Sequence, residues 1–104
     1  MSRDAKASFA FLKYMDLLQN EQLDQAQAAL GQAIDLDPRP SLYLEQISTL
    51  WRTDQLQAAL KASTRARQAF PDSQDLAVIQ ARLYQAMDRT DQAVEVLQGF
   101  LKKL

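Results

Sequence analysis

The chain has no cysteine and no histidine, and its 104 residues include only two glycines and three prolines. Without cysteine there is no disulfide framework, thiolate nucleophile or thiolate metal site. Without histidine the commonest general base and metal ligand is missing, so Ser41, Ser48 and Ser63 have no imidazole to activate them. Gly31 and Gly99 lie far apart and form no phosphate-cradling loop. Asp35 and Asp37 are followed by no alternating carboxylate loop and read as a polar helix end rather than a calcium site. The expectation is a protein that is no enzyme and carries neither cofactor nor metal.

Charge of one sign is also lacking. Twelve basic and 13 acidic residues give a formal net charge of −1. Residues 1–40 carry four basic and six acidic side chains, 41–73 four and three, and 74–104 four and four. A protein that neutralises many phosphates shows a basic excess, so nucleic acid is not an expected partner. The densest basic group, Lys61, Arg65 and Arg67, has no aromatic platform around it and reads as a solvated helix face. No apolar run approaches the roughly 18–20 residues that span a bilayer, and Lys13 interrupts the short apolar stretch before it. Met-Ser-Arg-Asp makes a poor secretory start. No membrane insertion is expected, and the cytoplasm is the expected compartment, with the periplasm as the alternative for a fragment.

What is present favours helices. Alanine, leucine and glutamine dominate, and 47% of residues are apolar, as in a packed globular domain. The sequence also contains itself. Asp24-Gln25-Ala26 followed by Leu30 returns as Asp91-Gln92-Ala93 followed by Leu97, with Asp54-Gln55-Leu56 and Ala59 between them. Ala26, Ala59 and Ala93 stand 33 and 34 residues apart, and Pro38 and Pro71 stand 33 apart. A period near 33–34 in a helical composition signals stacked helix pairs.

Each period divides in two. Phe11, Tyr14, Met15 and Leu18 follow the i, i+3, i+4, i+7 spacing of one helical face, as do Tyr43, Ile47 and Leu50, and then Ala77, Ala81 and Tyr84. A polar turn follows each time, at Asn20-Glu21, Thr53-Asp54 and Asp88-Arg89. The second halves carry Ala26/Leu30/Ala33, Ala59/Ser63/Ala66 and Ala93/Leu97/Phe100, whose small members allow close helix approach. Proline closes the second and fourth helices, and Asp72 or Ser73 is placed to cap the fifth. The spacing predicts helices near 4–19, 22–36, 40–52, 55–69, 73–86 and 89–103.

This pattern resembles the tetratricopeptide repeat, a 34-residue helix pair with a small residue and an aromatic on its first helix, two alanines on its second and a closing proline. Ala81, Tyr84 and Ala93 match in the third repeat, Tyr43, Ala59, Ala66 and Pro71 in the second, and Ala26, Leu30, Ala33 and Pro38 in the first. The small position is bulky in two repeats, with Ile47 in the second and Tyr14 or Met15 in the first. The first turn reads as one residue short, which leaves two registers open there. The resemblance implies an all-α fold, a right-handed α-solenoid of three helix-turn-helix repeats and six helices. It would form a single domain over 1–104, with repeats near 4–38, 39–72 and 73–104.

The resemblance further implies that the first helix of each pair lines a concave groove that receives a peptide or extended segment of a partner protein. The groove residues would be Leu44, Ser48, Trp51 and Arg52 from the second repeat and Val78, Arg82 and Gln85 from the third, with Leu12, Asp16 and Gln19 from the first. Trp51, the only tryptophan, falls outside the core stripe and reads either as a binding hot spot or as packing between repeats. Arg52 and Arg82 suit a carboxylate, or they pair internally with Asp16, Glu45 or Asp75. The lysine and asparagine clamp of chaperone-binding relatives is missing, since those positions hold Leu12 or Phe11, Asp16 or Met15, and Glu45.

The last helix is apolar around much of its circumference. Val94, Leu97, Leu101 and Leu104 form a face for a following repeat or for a homodimer through this helix. The expected role is a scaffold or adaptor module of a longer, bacterial-type repeat protein. The alternatives are a secretion-chaperone-like protein or the non-catalytic arm of a larger enzyme.

Overall fold

The computed structural model describes residues 2–104, which form six α-helices and no strand. They are α1 (Arg3–Gln19), α2 (Leu23–Leu36), α3 (Pro40–Arg52), α4 (Leu56–Ala69), α5 (Gln74–Ala86) and α6 (Thr90–Lys102). Every boundary falls within one residue of the sequence expectation. Two compact units are present, one reaching Leu42 and one spanning Tyr43–Leu104, with the division inside α3.

One turn geometry recurs three times. Glu21, Asp54 and Asp88 all take a left-handed backbone, with φ of 60°, 60° and 58°. The next residue then reaches back five positions: Gln22 N–H donates to Leu17 O at 2.9 Å, Gln55 to Leu50 at 2.8 Å and Arg89 to Tyr84 at 2.8 Å. A left-handed residue just past a helix end lets the chain reverse while it satisfies the last carbonyls. The first turn is not short, for 20–22, 53–55 and 87–89 each hold three residues. The odd residue lies elsewhere: 37–39 join α2 to α3, whereas four residues, 70–73, join α4 to α5. There the expected cap forms, as Ser73 Oγ accepts from Leu76 N–H at 3.3 Å.

Within the first unit α1 packs on α2. The buried line of α1 is Ala7, Ala10 and Tyr14, not the expected stripe centred on Tyr14 and Met15. Tyr14 is 1% exposed and Met15 is 52% exposed, with Phe11 and Leu18 half-buried. Two overlapping stripes fit the sequence equally well. The alanine stripe is the one that lets α1 lie close against Ala26, Ala29, Leu30 and Ala33 of α2. Tyr14, 33 residues before Ile47, is buried as Ile47 is. Its ring lies beside Phe11, with centroids 5.6 Å apart.

Helix α2 has no basic residue in its last turn. Arg3 of α1 supplies one, donating through Nε to Leu36 O and through Nη2 to Asp35 O at 2.9 Å. A cation there meets both the orphan carbonyls and the negative end of the helix dipole. Asp37 accepts from Arg39 at 2.8 Å, and this bond and its charge raise the Arg39 pKa above its ordinary value.

In the second unit, Ile47, Leu50, Ala59, Ala62, Ala66, Leu76 and Leu83 form one apolar cluster drawn from α3, α4 and α5. Tyr43 and Phe70 meet edge to face on its margin, with centroids 6.1 Å apart. The inward face of α4, Ala59/Ala62/Ser63/Ala66, repeats that of α2, Ala26/Ala29/Leu30/Ala33, at a constant offset of 33.

Where α2 has Leu30, α4 has Ser63, and a polar network fills the place. Gln80 of α5 is only 4% exposed. Its amide donates to Ser63 Oγ at 3.0 Å and Thr64 Oγ1 at 3.2 Å, and its Oε1 accepts from Arg67 at 2.8 Å. The Ser63 and Thr64 hydroxyls in turn donate to Leu60 O, at 2.7 and 3.1 Å. A buried amide is tolerated when satisfied in this way. Arg67 is thus half-buried and bonded, whereas Lys61 and Arg65 are exposed as expected.

Helix α6 meets α5 through one face only. Ala93 and Phe100 are buried, while Leu97, expected with them on the inward face, is 39% exposed. Val94, Leu101 and Leu104 are exposed as well. The physical reason is circumference: α6 is apolar on more sides than one neighbouring helix can cover.

Candidate functional site

Helix periodicity builds the site from two elements of the second unit. Ser48, Trp51 and Arg52 sit at i, i+3 and i+4 on α3, so they share a face at its C-terminal half. Ile79 and Arg82 sit at i and i+3 on α5 and share a face there. These five residues line one open depression of about 370 Å³.

Trp51 is half-buried. It packs against the apolar cluster and also lines the depression. Arg52 is exposed and donates to Thr49 Oγ1 at 3.2 Å. Arg82 is exposed, with no hydrogen-bond or ion-pair partner among the described residues. Arg82 makes no ion pair with Asp75 among the described residues, and Glu45 and Asp75 are the acids of α3 and α5. Each acid stands seven residues before its arginine on the same helix, about 10 Å along the axis.

Three expected groove residues lie apart from the depression. Leu44 packs against the apolar cluster, Val78 is half-buried, and Gln85 is exposed with its carbonyl accepting from Asp88 N–H at 3.0 Å. Leu12, Asp16 and Gln19 of the first unit are all exposed. Ile79 was not named from the sequence. Its signal was available, since it precedes Arg82 by one helical turn.

Two further depressions differ in charge balance. In the first unit, Lys6, Phe9, Ala10, Gln32, Asp35 and Leu36 line about 410 Å³, and Lys6 and Asp35 offset each other. In the second, about 330 Å³ lies beside Arg67, Tyr84, Glu95 and Lys103, so the lining includes an acid, and Arg67 is already bonded to Gln80. Of these three depressions, the one at Trp51 has two cations and no acid in its lining. Among the described residues no cluster of three or more Asp or Glu side chains is placed to hold a metal ion.

No family model matches the chain, and no curated protein matches it. Among the described residues no helix is long and apolar enough to cross a membrane.

Proposed function

We propose that the chain is a protein-interaction module, a scaffold or adaptor segment of a longer repeat protein. Its three helix pairs form a right-handed tetratricopeptide-like solenoid that receives an extended segment of a partner on its first helices. The observation that carries this reading is the convergence of Trp51, Arg52, Ile79 and Arg82 on one open depression. Trp and Arg combine large contact area with a polar handle, which is why they dominate binding hot spots. The solenoid reading is supported by the threefold turn at Glu21, Asp54 and Asp88 and by the constant offset of buried positions between α2 and α4. In this reading the module has no catalytic role of its own and works in the cytoplasm.

The apolar outer face of α6 favours a second contact. Val94, Leu97, Leu101 and Leu104 receive either a further repeat or the same face of a second copy.

The test of the groove is Trp51→Ala combined with Arg82→Glu. Partner capture by the native-length protein is expected to disappear while helicity by circular dichroism is kept, because both side chains stand outside the fully buried cluster. Capture that persists unchanged would move the site away from α3 and α5.

A further inference from the structure

We infer that the depression on the second unit selects an acidic, extended peptide segment: a carboxylate seated on Arg82 beside Arg52, next to an aliphatic or aromatic side chain lying over Trp51 and Ile79. This rests on the groove reading above and adds the chemistry of the ligand.

Charge decides the sign. Arg82 is the only cation on α5 and Asp75 its only acid, two helical turns away. Arg82 therefore has its full set of donors open, and a guanidinium fork matches a carboxylate in two parallel hydrogen bonds. Arg52 is the lesser partner. It occupies the last turn of α3, where it also offsets the helix dipole, and it already donates to the neutral hydroxyl of Thr49. A lysine or arginine in the ligand would meet two like charges with no acid in the lining to answer it.

Shape decides the form. A depression of about 370 Å³ lies at the small end of ligand sites and is open to solvent, so it seats one or two side chains rather than an enclosed cofactor. Trp51 and Ile79 supply apolar surface beside the cations, and the Ser48 hydroxyl can donate to a peptide carbonyl. An acid with an apolar neighbour answers both halves of this lining. A nucleic-acid strand answers only the charged half, and one aromatic surface gives it no stacking series.

The test pans a display library of random dodecapeptides against the whole chain and measures the enriched peptides as fluorescent probes. Enriched sequences should place Asp or Glu beside Leu, Ile, Phe or Trp and should change the emission of the single tryptophan. Arg82→Glu should weaken them at least about tenfold, the scale of a charge-assisted hydrogen bond. Arg82→Lys should restore part of the loss, and raising salt from 50 to 500 mM should weaken binding of an acidic probe because exposed charges are screened. Panning against the Arg52→Glu/Arg82→Glu variant should select basic sequences instead. Neutral or basic peptides that bind the native chain and are lost in Trp51→Ala would overturn the acidic ligand but leave the groove. Peptides indifferent to both Trp51→Ala and Arg82→Glu, or no enrichment at all, would overturn both. Displacement of the probe by oligo-dT at similar concentration would point to nucleic acid and overturn the peptide ligand.

Discussion

Removing the buried amide of Gln80 measures how far the α4–α5 contact depends on one polar side chain. Gln80 makes three hydrogen bonds across that contact, to Ser63, Thr64 and Arg67. Each is worth about 1 kcal/mol net, so Gln80→Ala forfeits about 3 kcal/mol before relaxation. The hydroxyls of Ser63 and Thr64 are not stranded, because both already donate to Leu60 O. Arg67 is only half-buried and can turn to water. These two outlets lower the loss, while the cavity left by the truncation raises it, so about 2–3 kcal/mol remains. That corresponds to a fall of about 10–20 °C in Tm, since 1 kcal/mol shifts a domain of this size by about 4–8 °C. Urea denaturation of Gln80→Ala, Arg67→Ala and the double variant gives the cycle, and a coupling of about 1–2 kcal/mol is expected between the two residues. Gln80→Leu fills the cavity without restoring any bond and should fall between wild type and Gln80→Ala. A loss below about 0.5 kcal/mol for Gln80→Ala, or a coupling near zero, would refute the network as a source of stability.

The remaining predictions concern backbone and surface. Glycine relieves the left-handed backbone at Glu21, Asp54 and Asp88, so each single substitution should stabilise by about 0.5–1 kcal/mol by urea denaturation. Glu21→Gly should gain most, since aspartate tolerates that conformation better than glutamate; a destabilised Glu21→Gly would contradict the turn geometry. A Cβ added at Gly31 or Gly99 meets nothing within 4 Å, so Gly31→Ala and Gly99→Ala should each stabilise by about 0.8–1 kcal/mol through helix propensity alone. Leu97→Gln with Leu101→Gln should abolish concentration-dependent association in sedimentation velocity while costing less than about 0.5 kcal/mol of stability, as both side chains are exposed. Native protein that stays monomeric at its highest soluble concentration would remove the self-association role of α6.

The helices were legible because each carries its own punctuation. Pro38, Pro71 and Ser73 act within a turn of where they stand, and the apolar period needs no distant partner to be read. The candidate site was legible for a related reason. Ser48, Trp51 and Arg52 are spaced to share a helix face, so their convergence needed only the addition of α5. Ile79 was missed although its spacing to Arg82 was readable, because an isoleucine in an amphipathic helix reads first as core. Leu44 went the other way and packs against the core.

Local chemistry in the sequence determined the number of helices, their limits to within a residue, the three turns and the period. Tertiary packing decided what depends on a neighbour's shape. It buried Ala10 and Tyr14 rather than Met15, because only the alanine line lets α1 lie close to α2. It turned Arg67 inward to Gln80, and it left Arg82 without a partner among the described residues, with the one acid of its helix two turns away. Periodicity gives the angle at which a side chain leaves its helix; what that side chain meets is set by the helix packed against it.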